Sequence, residues 1–77
     1  MNKARKQRIR EAMRHLDCGT SILTDVLDQE SDTMNNWPEN LQGTDRYERC
    51  EDAVDGLETA TSMLHDVIPY LEDIVMS

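Results

Sequence analysis

Two unbroken heptad frames, separated by a short segment of turn formers, constrain this chain more than any other feature. Apolar residues recur in both frames at alternating steps of three and four, which is the spacing of a coiled-coil seam. The first frame contains Ile9, Met13, Leu16, Thr20, Leu23, Leu27, Glu30 and Met34. The second contains Tyr47, Cys50, Val54, Leu57, Thr61, Leu64, Ile68, Leu71 and Val75. Each frame predicts an amphipathic helix roughly 45 Å long.

The segment between the frames, NNWPENLQGTD, predicts a reversal of the chain. Pro38 disfavours helical backbone at Trp37 and suits the first turn of a short helical piece. Gly43 can break the chain again, and either Thr44 or Asp45 can cap the second helix. We therefore expect an all-α fold, an antiparallel two-helix coiled-coil hairpin. The expected ranges are 1–77 for one domain, about 3–34 for the first helix, 35–44 for the connector and about 45–75 for the second helix.

The antiparallel reversal also predicts a register. Counting outwards from the connector makes the numbers of facing residues sum to about 80. Leu23 then lies opposite Leu57, and Glu30 lies near Cys50. Pro69 has no backbone N–H to donate to the preceding turn, so we expect a kink or a frayed last turn there.

A second apolar stripe runs beside each heptad seam. A two-helix hairpin buries only one seam per helix, so this stripe stays exposed, and such stripes usually find a partner. We therefore expect a homodimer that forms a four-helix bundle, with parallel and antiparallel arrangements both open. The expected dimer seam comprises Ile22, Val26, Ala53, Ala60, Val67 and Ile74.

Charge is distributed unevenly over a chain whose net charge is −8. Residues 1–14 contain six basic residues and one acidic residue, a charge of +5, which leaves −13 on residues 15–77. The basic start can pair with Glu72 and Asp73 at the neighbouring end of the second helix. Alternatively, Arg5, Arg8 and Arg14 form a small anion-binding patch. Direct nucleic-acid binding is not expected, because the remaining negative charge repels phosphates.

Acidic residues crowd the connector end of the expected hairpin. Eleven acids and only two bases lie between positions 25 and 58. Two interpretations stay open: an ordinary solvated helix surface, or a docking face that attracts the basic groove of another protein. In the same way, the connector aromatics either form an exposed contact or, as Trp37 with Leu41, cover the open end of the bundle. The candidate partner-binding residues are Trp37, Glu39, Asp45, Tyr47, Glu48, Glu51, Asp52 and Asp55.

Catalytic, cofactor and metal-binding motifs are not evident. The chain has no glycine-rich phosphate loop, no Cys-x-x-Cys and no His-Glu-x-x-His. His15, Cys18 and His65 lack a fourth ligand, so we expect no metal site. We expect a protein that is not an enzyme, carries no cofactor and does not enter a membrane. A reducing cytoplasm is the expected compartment, since two cysteines make no disulfide framework.

The connector and the start of the second helix resemble short helical proteins of bacteriophages and mobile elements in Gram-positive bacteria. In that family a basic helix leads to a Leu-Pro-Glu-x-Leu-Gln turn and a Ser/Thr-x-Arg-x-Glu helix start. The residues that match are Pro38, Glu39, Leu41, Gln42, Thr44, Arg46 and Glu48, while Trp37 replaces the usual leucine. The resemblance implies a phage or prophage accessory protein in the cytoplasm of a bacterial host.

Three functions are compatible with these features. The first is stoichiometric binding to a basic host protein, in concrete form an anti-CRISPR inhibitor that occupies the positively charged DNA channel of an effector nuclease. The second is a self-associating structural or adaptor module whose seam is the whole function. The third is a regulator or nucleotide-sequestering protein that uses the basic first helix.

Overall fold

Two long helices make up almost the whole molecule. The computed structural model describes residues 1–77 and contains α1, Lys3–Asn35, and α2, Asp45–Met76. A 3-10 turn at Glu39–Leu41 lies in the connector. The helices pack side by side in a rod with extents of 60 × 15 × 14 Å. The predicted all-α helical hairpin is confirmed.

The connector ends in a defined helix cap. Gly43 adopts φ = 85°, a left-handed conformation that side chains rarely tolerate, and this allows the sharp change of direction. The Thr44 hydroxyl then accepts a hydrogen bond from the Tyr47 N–H at 3.4 Å and donates one to the Leu41 carbonyl at 2.7 Å. Of the two capping residues that the sequence allowed, the N-cap is thus Thr44, and Asp45 is the first residue of α2.

The heptad seams form the contact between the helices. Every heptad position of both frames is buried or half-buried, with Val54 only 5% exposed. Thr20 and Thr61 are buried at seam positions, and their hydroxyls donate to the Leu16 and Leu57 carbonyls of their own helices. No side chain is completely enclosed. The seam therefore uses the predicted heptad positions but contains no deeply buried core.

Contacts along the rod confirm the expected register at the connector end. The Cys50 thiol donates to the Glu30 carboxylate, with 3.5 Å between Sγ and Oε2. At the other end the Lys6 ammonium donates to the Ser77 carbonyl. Helix α2 continues through Pro69 to Met76, so its last turn does not fray. Packing of the final turns against α1, with Val75 buried, compensates for the missing backbone donor.

Candidate functional site

The connector aromatics pack against each other at the tip of the hairpin. The rings of Trp37 and Tyr47 lie edge to face, with centroids 6.2 Å apart and planes at 68°. The Arg46 guanidinium carbon lies 5.8 Å from the centre of the indole. Trp37 is half-buried and its indole N–H is enclosed without a hydrogen-bond partner, whereas Leu41 remains 43% exposed. The indole thus covers the end of the seam, and Leu41 does not.

The expected acidic contact residues all lie in the connector and on the outside of α2. Asp45 and Glu48 occupy the first helical turn, where the positive end of the helix dipole favours carboxylates. Dipole stabilisation does not reach the acids further along the helix. We define the acidic surface as Glu48, Glu51, Asp52 and Asp55, all of which are exposed.

The two basic residues of this part of the chain lie apart from the acidic surface. Arg46 and Arg49 line an open groove that also involves Trp37, Cys50 and Ala53. Cys50 faces α1, so these arginines lie on a different side of α2 from Glu48, Glu51 and Asp55, and Asp52 lies between the two groups. Among Asp and Glu side chains, only Glu30 accepts a hydrogen bond from a side chain. The charge of the acidic surface therefore has no partner within the hairpin.

The Cys50 thiol is the one titratable group with an altered pKa. Its pKa is raised, first because burial disfavours the thiolate, and then because Glu30 accepts its hydrogen bond and repels a second negative charge. Such a thiol stays protonated and is a poor nucleophile. Cys50 accordingly acts as a small seam residue, whereas Cys18 is exposed.

An apolar surface runs along one side of the rod. The expected dimer-seam residues lie here. Ala60 is half-buried, and the other five are exposed: Ile22, Val26, Ala53, Val67 and Ile74. Met63 and Tyr70 lie on the same side of α2 and are 64% and 74% exposed. We define the apolar face as Ala12, Gly19, Ile22, Val26, Ala53, Gly56, Ala60, Met63, Val67, Tyr70 and Ile74.

Sequence reasoning missed part of this face although the signal was present. Ala53, Gly56 and Ala60 begin a series with alternating steps of three and four, and Met63, Val67, Tyr70 and Ile74 complete it. Helix α2 therefore carries a second heptad frame, rotated away from the first. Reading one frame per helix leaves Gly56, Met63 and Tyr70 unassigned.

No protein-family model, curated protein or solved structure matches this chain.

The basic start of α1 is divided between two open grooves. Arg5 and Arg8 line one groove with Ile9 and Ala12, whereas Arg14 lines another with Asp17 and Glu72. The three arginines therefore do not converge within a single hairpin. The pairing of the basic start with Glu72 and Asp73, one of the two alternatives, does not form. Lys6 donates instead to the Ser77 carbonyl, and Arg10 donates to Gln7 at 3.3 Å.

Two further properties of the whole molecule concern ligands and membranes. No cluster of three or more His, Cys, Asp or Glu side chains is arranged to hold a metal ion. Neither helix combines the length and the apolar character needed to cross a bilayer. The candidate sites are consequently surfaces of the rod: the acidic surface at the connector end and the apolar face along one side.

Proposed function

We propose that this protein binds a basic protein stoichiometrically and does so through the acidic surface. The observation that carries the proposal is the separation of charge around α2. Four exposed carboxylates lie together on its outside, while Arg46 and Arg49 lie on another side. A rod that presents unpaired carboxylates at helical intervals offers a basic cleft a substitute for the phosphates of a nucleic acid.

The class of partner follows from the size and shape of this surface. The rod is no thicker than a pair of helices, which with their side chains is roughly as wide as a nucleic-acid duplex. A cleft that accommodates nucleic acid can therefore admit it. Combined with the resemblance to phage and prophage proteins, this favours an inhibitor of a host defence nuclease, with the DNA channel of a CRISPR effector as the concrete target.

The test replaces the charge of the acidic surface and keeps its shape. The variant carries Glu51→Gln, Asp52→Asn and Asp55→Asn. The matched control changes one Glu and two Asp at the other end of the same helix: Asp66→Asn, Glu72→Gln and Asp73→Asn. Tagged proteins are incubated with bacterial lysate, and bound proteins are eluted with duplex DNA. Each eluted partner is then purified. Its Kd for this protein and its affinity for DNA are both measured.

The proposal predicts a DNA-binding partner whose DNA affinity falls when this protein is added. Three exposed charge pairs at about 0.2–1 kcal/mol each amount to a roughly 3- to 150-fold loss of affinity in the acidic-surface variant. The control is expected to lose less than about threefold, within the value of one such pair. Equal losses in both variants, or partners that DNA does not displace, would contradict the proposal.

A second candidate function is self-association as a structural or adaptor module. The apolar face favours it, because the single hairpin exposes 5971 Å² of surface, whereas a compact monomer of this mass exposes roughly 4,800 Å². We propose on this ground that two hairpins form a four-helix bundle. Dimerisation is compatible with partner binding, since Glu48, Glu51 and Asp55 point away from the apolar face and only Asp52 adjoins it. Sedimentation equilibrium tests the dimer independently of any partner.

A further inference from the structure

We infer that a second copy of this chain covers the apolar face in an antiparallel arrangement, with the connector of each hairpin beside the termini of the other. This inference rests on the dimer proposed above and specifies its geometry. The axis of symmetry crosses the rod near Gly19 and Ala60, so that α1 packs on α1 of the second copy and α2 packs on α2.

The size of the face matches that of a stable interface. Measured on the rod's extents of 60 × 15 Å, one side offers about 900 Å², close to the ~800 Å² that each partner contributes to a standard protein–protein interface. The surface in excess of a compact monomer is of similar magnitude, at roughly 1,200 Å². A second copy therefore accounts for the uncovered area without any other partner.

Two glycines provide an independent indication of close approach. Gly19 and Gly56 lie inside helices, although glycine is the poorest helix former after proline. Nothing in the single hairpin requires them, because a Cβ atom at either position would contact no other atom within 4 Å. Both lie on the apolar face. Glycine here leaves space for the side chains of a neighbouring helix.

The second copy supplies side chains of suitable size for that space. In the antiparallel arrangement, Met63 lies opposite Gly56 of the second copy and Val67 lies opposite its Ala53. On α1, Val26 lies opposite Ala12. A parallel arrangement would also place large residues opposite small ones, since Val26 would then lie opposite Ala53. Size complementarity thus identifies the second copy as the occupant, and a different property decides the orientation.

Charge decides between the two orientations. The terminal half of the rod, residues 1–19 and 60–77, contains six bases and five acids, whereas the connector half, residues 20–59, contains two bases and eleven acids. A parallel dimer places one strongly acidic half against another. An antiparallel dimer places each acidic half against a nearly neutral one, and like-charge repulsion is smaller. Tyr70 then also lies opposite Arg49, in reach of a cation–π contact.

Energy transfer between separately labelled copies tests the orientation. Labels are attached at Asn40→Cys, in the connector, or at Ser77→Cys, at the opposite end, in a background of Cys18→Ser and Cys50→Ala. A donor at position 40 and an acceptor at position 77 of the other copy are expected to give high transfer. Donor and acceptor both at position 40 are expected to give low transfer, since they lie at opposite ends of a 60 Å rod. The reverse pattern, or low transfer in both mixtures, overturns the inference.

A glycine variant separates loss of the dimer from loss of the fold. Gly56→Leu improves helix propensity and meets no atom of its own hairpin, yet it fills the space assigned to Met63 of the second copy. Sedimentation equilibrium is expected to show a dissociation constant at least about tenfold higher. The control, Ser62→Leu, adds the same side chain at an exposed position on the opposite side of α2 and is expected to dimerise normally. Unchanged dimerisation of Gly56→Leu would overturn the inference, and neither measurement involves the partner of the acidic surface.

Discussion

Thr44 links the connector to α2 through a single hydroxyl. It caps the helix by accepting from the Tyr47 N–H and fixes the connector by donating to the Leu41 carbonyl. Replacement by alanine removes both bonds and leaves a helix N–H without a partner. The sequence allowed either Thr44 or Asp45 as the cap, and the geometry of the turn assigns that role to Thr44.

The predicted effect of Thr44→Ala is a loss of about 1 kcal/mol in the free energy of unfolding, measured by urea titration. Thr59→Ala is the control in the same helix. The Thr59 hydroxyl bonds only the Asp55 carbonyl one turn earlier, and alanine is the better helix former. Its expected effect is neutral or slightly stabilising. Equal destabilisation by both substitutions would show that Thr44 has no special capping role.

Cys50 and Glu30 predict a pH dependence of stability. The pKa of the folded thiol is raised above its ordinary value of 9.0, so the folded state holds this proton more tightly than the unfolded state. The stability contributed by the protonated thiol is therefore complete below pH 9.0 and is lost as the pH rises through the folded pKa. Cys50→Ala is expected to reduce the decline in unfolding free energy above that pH.

The same pair predicts a slow thiol reaction. In a Cys18→Ser background, the alkylation rate of Cys50 is expected to reach its half-maximum at a higher pH than that of Cys18 in a Cys50→Ala background. Glu30→Gln is expected to lower the pKa of Cys50 only in part, because burial is the larger cause and remains. A pKa that returns fully to 9.0 in this variant would show that Glu30 is the main cause instead.

At the scale of the helices, stability comes from a seam without a deep core. Leu23 and Leu57 are half-buried and face each other in the predicted register. Truncating either one removes apolar contacts on both helices, which have few others to compensate. Each helix therefore depends on the other for its stability, since the apolar face of either helix would be exposed to water if the two were separated.

Leu23→Ala and Leu57→Ala are each expected to lower the free energy of unfolding by about 2 kcal/mol. The measurement is urea unfolding followed by helical circular dichroism. Leu41→Ala, at the exposed leucine of the connector, is the control and is expected to change stability by less than about 0.5 kcal/mol. A larger effect at Leu41 than at Leu23 would place the main apolar contacts in the connector.

The charge of the whole molecule acts in opposite directions on folding and on partner binding. Eleven acids in the connector half repel one another, and salt screens that repulsion. Raising the salt concentration is therefore expected to stabilise the hairpin by on the order of 1 kcal/mol and to weaken binding to a basic partner. The Glu51→Gln, Asp52→Asn, Asp55→Asn variant is expected to show a smaller salt effect in both measurements. Partner affinity that does not change with salt would contradict binding through the acidic surface.

The sequence by itself determined the hairpin, its seam and its register. The reason is that the heptad spacing of apolar residues along one helix is enough to predict which side of that helix is buried. Pro38 and Gly43 likewise placed the reversal, since both act through backbone geometry that neighbouring residues barely affect. Only the tertiary structure decided what the connector side chains do. The sequence left open whether Trp37 was exposed, and only the position of Tyr47 and Arg46 across the turn encloses it.

The exposure of the apolar face was also decided only by the tertiary structure. The second series on α2 could be counted in the sequence, but its exposure depends on how the two helices turn towards each other. Packing along the first seam orients Met63 and Tyr70 outwards and leaves open space above Gly19 and Gly56. The heptad period of the sequence predicts that a face is apolar. Only the packed pair of helices shows that no other part of the chain covers that face.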